Sequence, residues 1–380
     1  MHQPQGAAAG VAPPRGSSAA GRRSAARPAT VATILSRLAW LGLSLALVAP
    51  AVGAGVSLAT SAAFLAEFLS GGRWRPLSTV TVAPGVRALA LAPVAMDVHA
   101  AGGAAPAPGL VLAHGLSARG KDEPPLAEAA RLLARAGWAV AVPTVPGLTV
   151  LRLRPDDAVA VAAAARALAD AGHRPVSILA ISVGAGPALL AATDPALATS
   201  LAAVLVLGGY GSARELLRFT LTGAYGFGAE AGRRAPDPEA IALFARANPE
   251  LVDGAGRRLV DNRDPAAVDD LLAALPAGTQ RLLDDLSPER RLGGLAAPLF
   301  LVHGRDDPAV PYTESLRLLA AARGAGRTAR AAIVGGVAHV EADRRGGLAD
   351  LARLAAAFHA FRKTAGAGAP RLFAAGAPTR

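Results

Sequence analysis

The 380-residue chain contains no cysteine. Disulfides, thiolate metal sites and a cysteine nucleophile are therefore excluded, while the redox compartment stays open. Lysine is nearly missing as well. Only Lys121 and Lys363 occur, so the formal net charge of +11 rests on arginine. Aromatic residues make up 4% of the chain. Nucleic-acid binding favours a basic stripe with stacking side chains, whereas these arginines are scattered among Asp and Glu; no nucleic-acid partner is expected. The glycines Gly184 and Gly186 are not followed by Gly-Lys-Ser/Thr, which argues against a phosphate loop.

Apolar residues are what the chain has in excess. At 52% hydrophobic and 18% charged, it can build a sizeable core. Its length allows one large α/β domain or two smaller ones.

Residues 1–37 hold no acidic residue, are rich in Ala, Gly, Pro and Ser, and carry Arg15, Arg22, Arg23, Arg27 and Arg37. They read as a disordered basic arm. Residues 38–69 follow as a transmembrane anchor or signal segment, with no charge between Arg37 and Glu67. A span needs roughly 20 apolar residues, and a cleavable signal core is shorter, about 7–15. Length thus favours a retained anchor over a signal peptide cut near Ala51–Ala59. Pro50, Gly53 and Gly55 weaken the helix. The arginines before the span outnumber Arg73 and Arg75 after it, which puts the rest of the chain outside the cytoplasm.

From about residue 76 apolar runs alternate with helical periodicity. "STVTVAP" and "VRALALAPVAMDVHA" predict early strands. "GLVLAHG", "WAVAVPT", "VSILAIS" and "LAAVLVLGG" predict buried strands, and helices are expected over 124–137, 154–172 and from Val183 onward. Residues 210–295 break the rhythm with helical fragments and no clear buried strand. "APLFLVHG", a helix from Tyr312, "TARAAIVGG" and a last helix then resume it. Such alternation predicts a mostly parallel sheet with helices on both faces. The expected layout is a first core part over 76–209, a helical cap over 210–295, a second core part over 296–365 and a flexible tail over 366–380.

The chemistry concentrates in Ala180-Ile181-Ser182-Val183-Gly184, where a buried strand turns tightly into a helix. Small flanking residues let the turn hold its central residue in a strained conformation and leave the hydroxyl reachable. Alanine stands where the usual Gly-x-Ser-x-Gly has its first glycine, and it is still small enough. A serine needs a base, and the base an orienting carboxylate. "LVHGRDDPAVP" offers Asp307, three residues after Gly304 and three before Val310, with Asp306 as its rival. "IVGGVAHVEAD" offers His339 in a glycine-rich loop. Ser182, Asp307 and His339 thus follow strand ends in that order, at the edge where parallel sheets bind ligands. His303, His99, His173 and His359 read as ordinary structural or surface histidines, and His2 lies in the arm. The acid pairs Asp156–Asp157 and Asp284–Asp285 are accounted for by helix-end electrostatics.

These three segments resemble the α/β-hydrolase superfamily, from about Val80 to Lys363. The resemblance implies an α/β-hydrolase sheet and a second oxyanion donor at the N–H of Leu116, in "LAHGL", beside that of Val183. Gly184 is then the elbow glycine and His114 a structural residue. The expected activity is that of a serine esterase acting through an acyl-enzyme. It requires no metal or cofactor, and its substrate is a mostly apolar ester. A short peptide on the same triad is the alternative, and a catalytically idle binding module is the contrasting class. Phe219, Tyr225, Phe227 and Phe244 are candidate pocket walls. Arg214, Arg218, Arg233 and Arg234 are candidate contacts for an acidic group or else cap surface. A serine at the elbow argues against epoxide hydrolysis and dehalogenation, which place an aspartate there.

Overall fold

The computed structural model describes residues 52–91, 94–103, 106–251, 254–335, 337–338, 341–342 and 347–373. The expected basic arm and the first part of the expected span lie outside them.

Eight strands form one sheet: β1 (Gly85–Leu91), β2 (Val94–Ala100), β3 (Gly109–Ala113), β4 (Ala139–Pro143), β5 (Val176–Ile181), β6 (Leu201–Leu207) and, after the cap, two more. Within the cap the chain forms a small hairpin, β7 (Ala224–Phe227) with β8 (Glu230–Arg233); β9 (Leu299–Gly304) and β10 (Ala329–Val334) then complete the large sheet. Its order is β1-β2-β4-β3-β5-β6-β9-β10. β1, β2 and β4 pair antiparallel, and every later pairing is parallel. This is the α/β-hydrolase arrangement, with β5 near the middle and its carboxyl end facing the cap insertion.

The strands are apolar on both sides because both faces are covered. Val111 and Ala113 of β3 join one buried cluster with Ile178 and Ala180 of β5 and the helix Ala158–Asp170. Leu110, Leu112 and Leu179 join the other, beneath the helices Pro124–Arg135 and Leu348–Thr364. The inserted segment has a smaller core of its own, built on Leu217, Leu221, Ile241, Leu259 and Leu272.

Three local expectations are corrected. "STVTVAP" forms turns with a single bridge, Thr81 to Leu372, rather than a strand. Thr79 Oγ1 and Thr81 Oγ1 donate to the carbonyls four residues back, at Arg75 and Leu77, so hydroxyls take up backbone groups that a ladder would use. The cap also contains a strand pair and not helices alone. Lastly, the tail is fastened over residues 366–373. Val82 N–H donates to Arg371 O and Phe373 N–H to Val80 O. The buried Arg362 guanidinium donates to Ala136 O and Gly368 O while lying over the Trp138 ring, and burial pulls its pKa down to about 10.

The apolar segment is helical over Val52–Leu69, Gly53 and Gly55 included. Its two halves differ. Val52 and Leu58 are 59% and 57% exposed, whereas Thr60, Ser61, Phe64, Leu65 and Glu67 are buried. Phe64 stacks on Phe358 of the last helix at 4.5 Å between ring centroids. Glu67 accepts hydrogen bonds from Leu77 N–H at 3.1 Å and Ser78 N–H at 2.9 Å, and from the Ser78 hydroxyl. A carboxylate bridging a helix end to the next turn is a firm clamp, because its removal leaves buried donors unpaired. Glu67→Ala is accordingly expected to lower the unfolding free energy by about 2 kcal/mol. Thermal melts of the variant and wild type check this, and equal midpoints would contradict it.

Candidate active site

β5 ends at Ile181, and Ser182 takes φ +55°, one of two described non-glycine residues with positive φ. A left-handed conformation costs a non-glycine residue on the order of 1–2 kcal/mol. Here the surroundings enforce it. Gly184 passes so close to the end of β3 that an added Cβ would lie 2.2 Å from His114 O. At Gly186 a Cβ would meet the Tyr210 hydroxyl at 2.3 Å, and that hydroxyl donates to Leu286 O. The glycines therefore let the helix Ala185–Ala192 sit against its neighbours, and the turn before it has to be sharp. Ala180 is fully buried in the ladder beside Ala113 and Val206, so alanine in place of the usual glycine is accommodated.

The turn brings two loops together. Gly115, just past β3, lies beside Ser182, with its added Cβ 3.1 Å from the serine Cβ. Leu116 follows, and Val183 opens the turn into the helix. Both line the same cavity as Ser182, a space of about 1130 Å³. His114 shapes the β3 loop. Its Nε2 accepts from Val145 N–H at 3.0 Å and its Nδ1 lies 2.7 Å from Gly115 O. A carbonyl only accepts, so Nδ1 carries the proton and the ring is neutral. Burial holds its pKa below the ordinary histidine value, against the Gly115 hydrogen bond. The structural role expected of His114 matches these two bonds.

Asp307 follows β9 and is fully buried, with Oδ1 accepting from the N–H groups of Ala309 and Val310. Asp306 points outward, its side chain 64% exposed and 3.9 Å from Arg234. Of the two rival acids, Asp307 is thus the buried one and Asp306 the exposed one. His303 lies 3.4 Å from Asp307 Oδ2, yet its ring is occupied: Nε2 donates to Val310 O at 2.9 Å and Nδ1 accepts from the Ser315 hydroxyl at 2.7 Å. It supports the acid loop and is a satisfied core histidine. His339 lies outside the described residues. The chain after β10 is described at Val337–Ala338, which pairs with Glu341–Ala342.

The pocket aromatics follow expectation in part, and the cap arginines follow its second alternative, cap surface. Phe219 and Phe244 line the cavity, but among its lining residues Tyr225 and Phe227 do not occur. Tyr225 packs edge-on to Tyr312, and Phe227 lies under the Arg317 guanidinium. None of the four cap arginines lines the cavity either. Arg214 pairs with Asp284, Arg218 with Glu215 and Asp269, and Arg233 donates to Thr222 O and Arg263 O. Arg234 donates to the carbonyls of Arg305 and Asp307, so the cap grips the loop that carries the candidate acid. The sequence also missed a wall of the cavity, formed by Phe68, Leu69, Ser70, Gly71 and Arg73 at the end of the apolar helix. Glu67, the first charge after a long apolar run, was the signal that the helix was already inside the domain.

No protein-family model and no curated protein matches the sequence. Solved structures to which the chain is similar include an acylaminoacyl peptidase of Pyrococcus horikoshii, 17% identical over 68% of this chain and 38% of that one, with a TM-score of 0.46. A puromycin-hydrolyzing peptidase of Mycobacterium tuberculosis is 19% identical over 75% and 40%, with a TM-score of 0.48. A 2,6-dihydroxy-pseudo-oxynicotine hydrolase is 17% identical over 83% and 82%, with a TM-score of 0.49. The chain spans about two fifths of the length of the two peptidases it matches.

Burial of neutral His114 has a consequence for stability. The unfolded chain takes up a proton below about pH 6.5, while the folded state, with its pKa lowered, does not. Folding stability is therefore full above that pH and falls as pH drops through it. His99, also lowered chiefly by burial, adds to the same slope. In denaturant titrations between pH 7.5 and 5, His114→Gln is expected to show a shallower loss of stability than wild type; an unchanged slope would contradict a buried neutral imidazole.

Proposed function

We propose that this α/β-hydrolase-fold protein is a serine hydrolase working by acyl transfer. One observation carries the reading: Ser182 is held in a left-handed conformation at the end of the central strand, on the wall of a large and mostly apolar cavity. A helix-capping serine has no use for that strain.

Ser182 attacks a carbonyl carbon and His339 takes its proton. Asp307, buried behind the site, orients the imidazole and stabilises its charged form. The N–H groups of Leu116 and Val183 receive the developing oxyanion. His339 then protonates the leaving group, and water activated by the same histidine releases the acid. No step calls on a cofactor.

The cavity supports an apolar substrate, with Leu126, Leu216, Leu243, Phe244 and Leu282 on its walls. It does not rank the ester above the amide. A peptide or aminoacyl amide stands level with it, because the half-buried Glu123, bonded to the Ser117 hydroxyl, sets a carboxylate on the same wall where a substrate ammonium group finds a counter-charge. The apolar segment before Thr60 acts as a membrane anchor, and the arginine bias ahead of it sets the catalytic body outside the cytoplasm.

Steady-state kinetics on chromogenic esters and aminoacyl amides test the reading. Ser182→Ala and His339→Ala are expected to lower kcat/KM by about 10⁴-fold or more. Asp307→Asn is expected to cost about 10⁴-fold, whereas Asp306→Asn stays within about threefold. Wild-type turnover that survives Ser182→Ala would refute the assignment, and no turnover of either class would favour the idle binding module.

A further inference from the structure

We infer that the substrate reaches Ser182 from a bilayer, as a lipid-soluble molecule with a long acyl or alkyl chain, along the helix Val52–Leu69. The inference rests on the hydrolase reading of the same cavity and narrows its substrate class.

The helix itself joins the two environments. Its first two turns present Val52, Val56 and Leu58 outward, at 59%, 39% and 57% exposure. An apolar surface of that kind needs a cover. The sequence says which: the charge-free run extends upstream to Leu38, so the exposed turns continue a stretch long enough for the roughly 20 residues that a bilayer demands. From Thr60 the same helix is buried against the domain, and its last turn supplies Phe68 and Leu69 to the cavity wall. Ten residues of helix separate Ala59 from Leu69, about 15 Å at 1.5 Å per residue. The catalytic cavity therefore begins about 15 Å along the helix from the point where it enters the domain, or two to three headgroup layers of about 5–7.5 Å each.

The far end of the helix carries side chains of the types enriched at membrane interfaces. Arg73 lines the cavity, Trp74 is 65% exposed, and Arg75 follows. Indole and guanidinium groups partition to headgroup level. The cavity is also large for a small soluble ester: small-molecule pockets run from about 300 to 1,000 Å³, and this one reaches about 1130 Å³. Among the described residues, Arg73, Glu123 and Asp237 are its only charged lining residues, and Asp237 is engaged in capping the helix Pro238–Ala247. The apolar remainder of the lining accommodates a long hydrocarbon chain.

The full chain, reconstituted into phosphatidylcholine vesicles, provides the test. Because the protein has no cysteine, Leu58→Cys can be labelled cleanly with an environment-sensitive fluorophore. Emission is expected to shift to the blue and to be quenched by nitroxide-bearing phosphatidylcholine. A water-like, unquenched fluorophore, or energy transfer showing a second copy on this face, would overturn the inference. In the kinetic arm, p-nitrophenyl palmitate carried in the vesicles is expected to be hydrolysed at least tenfold more efficiently than soluble p-nitrophenyl butyrate. The double variant Val56→Glu with Leu58→Glu is expected to lose tenfold or more on the vesicle-borne ester while keeping its butyrate activity. Should that variant fail to fold, Leu69→Trp, which narrows the wall, is expected to lower the palmitate-to-butyrate ratio by a similar factor. Butyrate turnover without any vesicle preference would overturn the inference alone. Absence of butyrate turnover and of fluorophosphonate labelling at Ser182 would overturn the hydrolase reading beneath it.

Discussion

The structure depends on one close approach, between Gly184 and the carbonyl of His114. At that point the backbone after β5 presses against the end of β3, and no side chain other than hydrogen fits. The contact sits two residues after the left-handed Ser182, and Leu116, Ser182 and Val183 all line one cavity. Strain at a single residue is the cost, on the order of 1–2 kcal/mol. It is met by the surrounding sheet, where Ile178, Ala180, Val204 and Val206 are completely buried. Neutral His114 completes the device by tying Gly115 O to Val145 N–H, so the β3 loop holds its shape from both sides.

The rest of the chain is arranged around that wall. The loop after β9 that carries the candidate acid is fixed from inside by His303 and from outside by Arg234 of the cap. The cap is thus more than a cover, since its hairpin and the acid loop share hydrogen bonds. On the opposite side the apolar helix enters the domain, clamps the following turn through Glu67 and ends in the cavity. One element therefore belongs both to the apolar segment and to the cavity wall.

Much of this was legible in the sequence, for physical reasons that can be named. The strands of the large sheet announce themselves because burial on both faces leaves no polar positions, as in "GLVLA" and "VSILAI". The elbow is legible because a strained turn tolerates few residue types. Spacing singles out Asp307 as the candidate acid, and it is buried whereas Asp306 is exposed. What failed to show depended on partners far away in sequence. The cap hairpin has only four residues per strand, and Gly232 is there to receive the Tyr225 ring rather than to break a strand. Arg234 stays open in the sequence between a substrate contact and cap surface because its acceptors are carbonyls, which no composition reveals. "STVTVAP" has strand periodicity, yet its hydroxyls satisfy local carbonyls. The segment 38–69 reads as an anchor or signal throughout because Phe64 is as apolar against Phe358 as it is against lipid.

The central claim is that Ser182 alone is the nucleophile. Mass spectrometry of the intact full-length protein after treatment with a fluorophosphonate, followed by peptide mapping, tests it most directly. The account predicts one adduct per chain, on the peptide containing Ser182. An unmodified protein, or an adduct on any other residue, would contradict it.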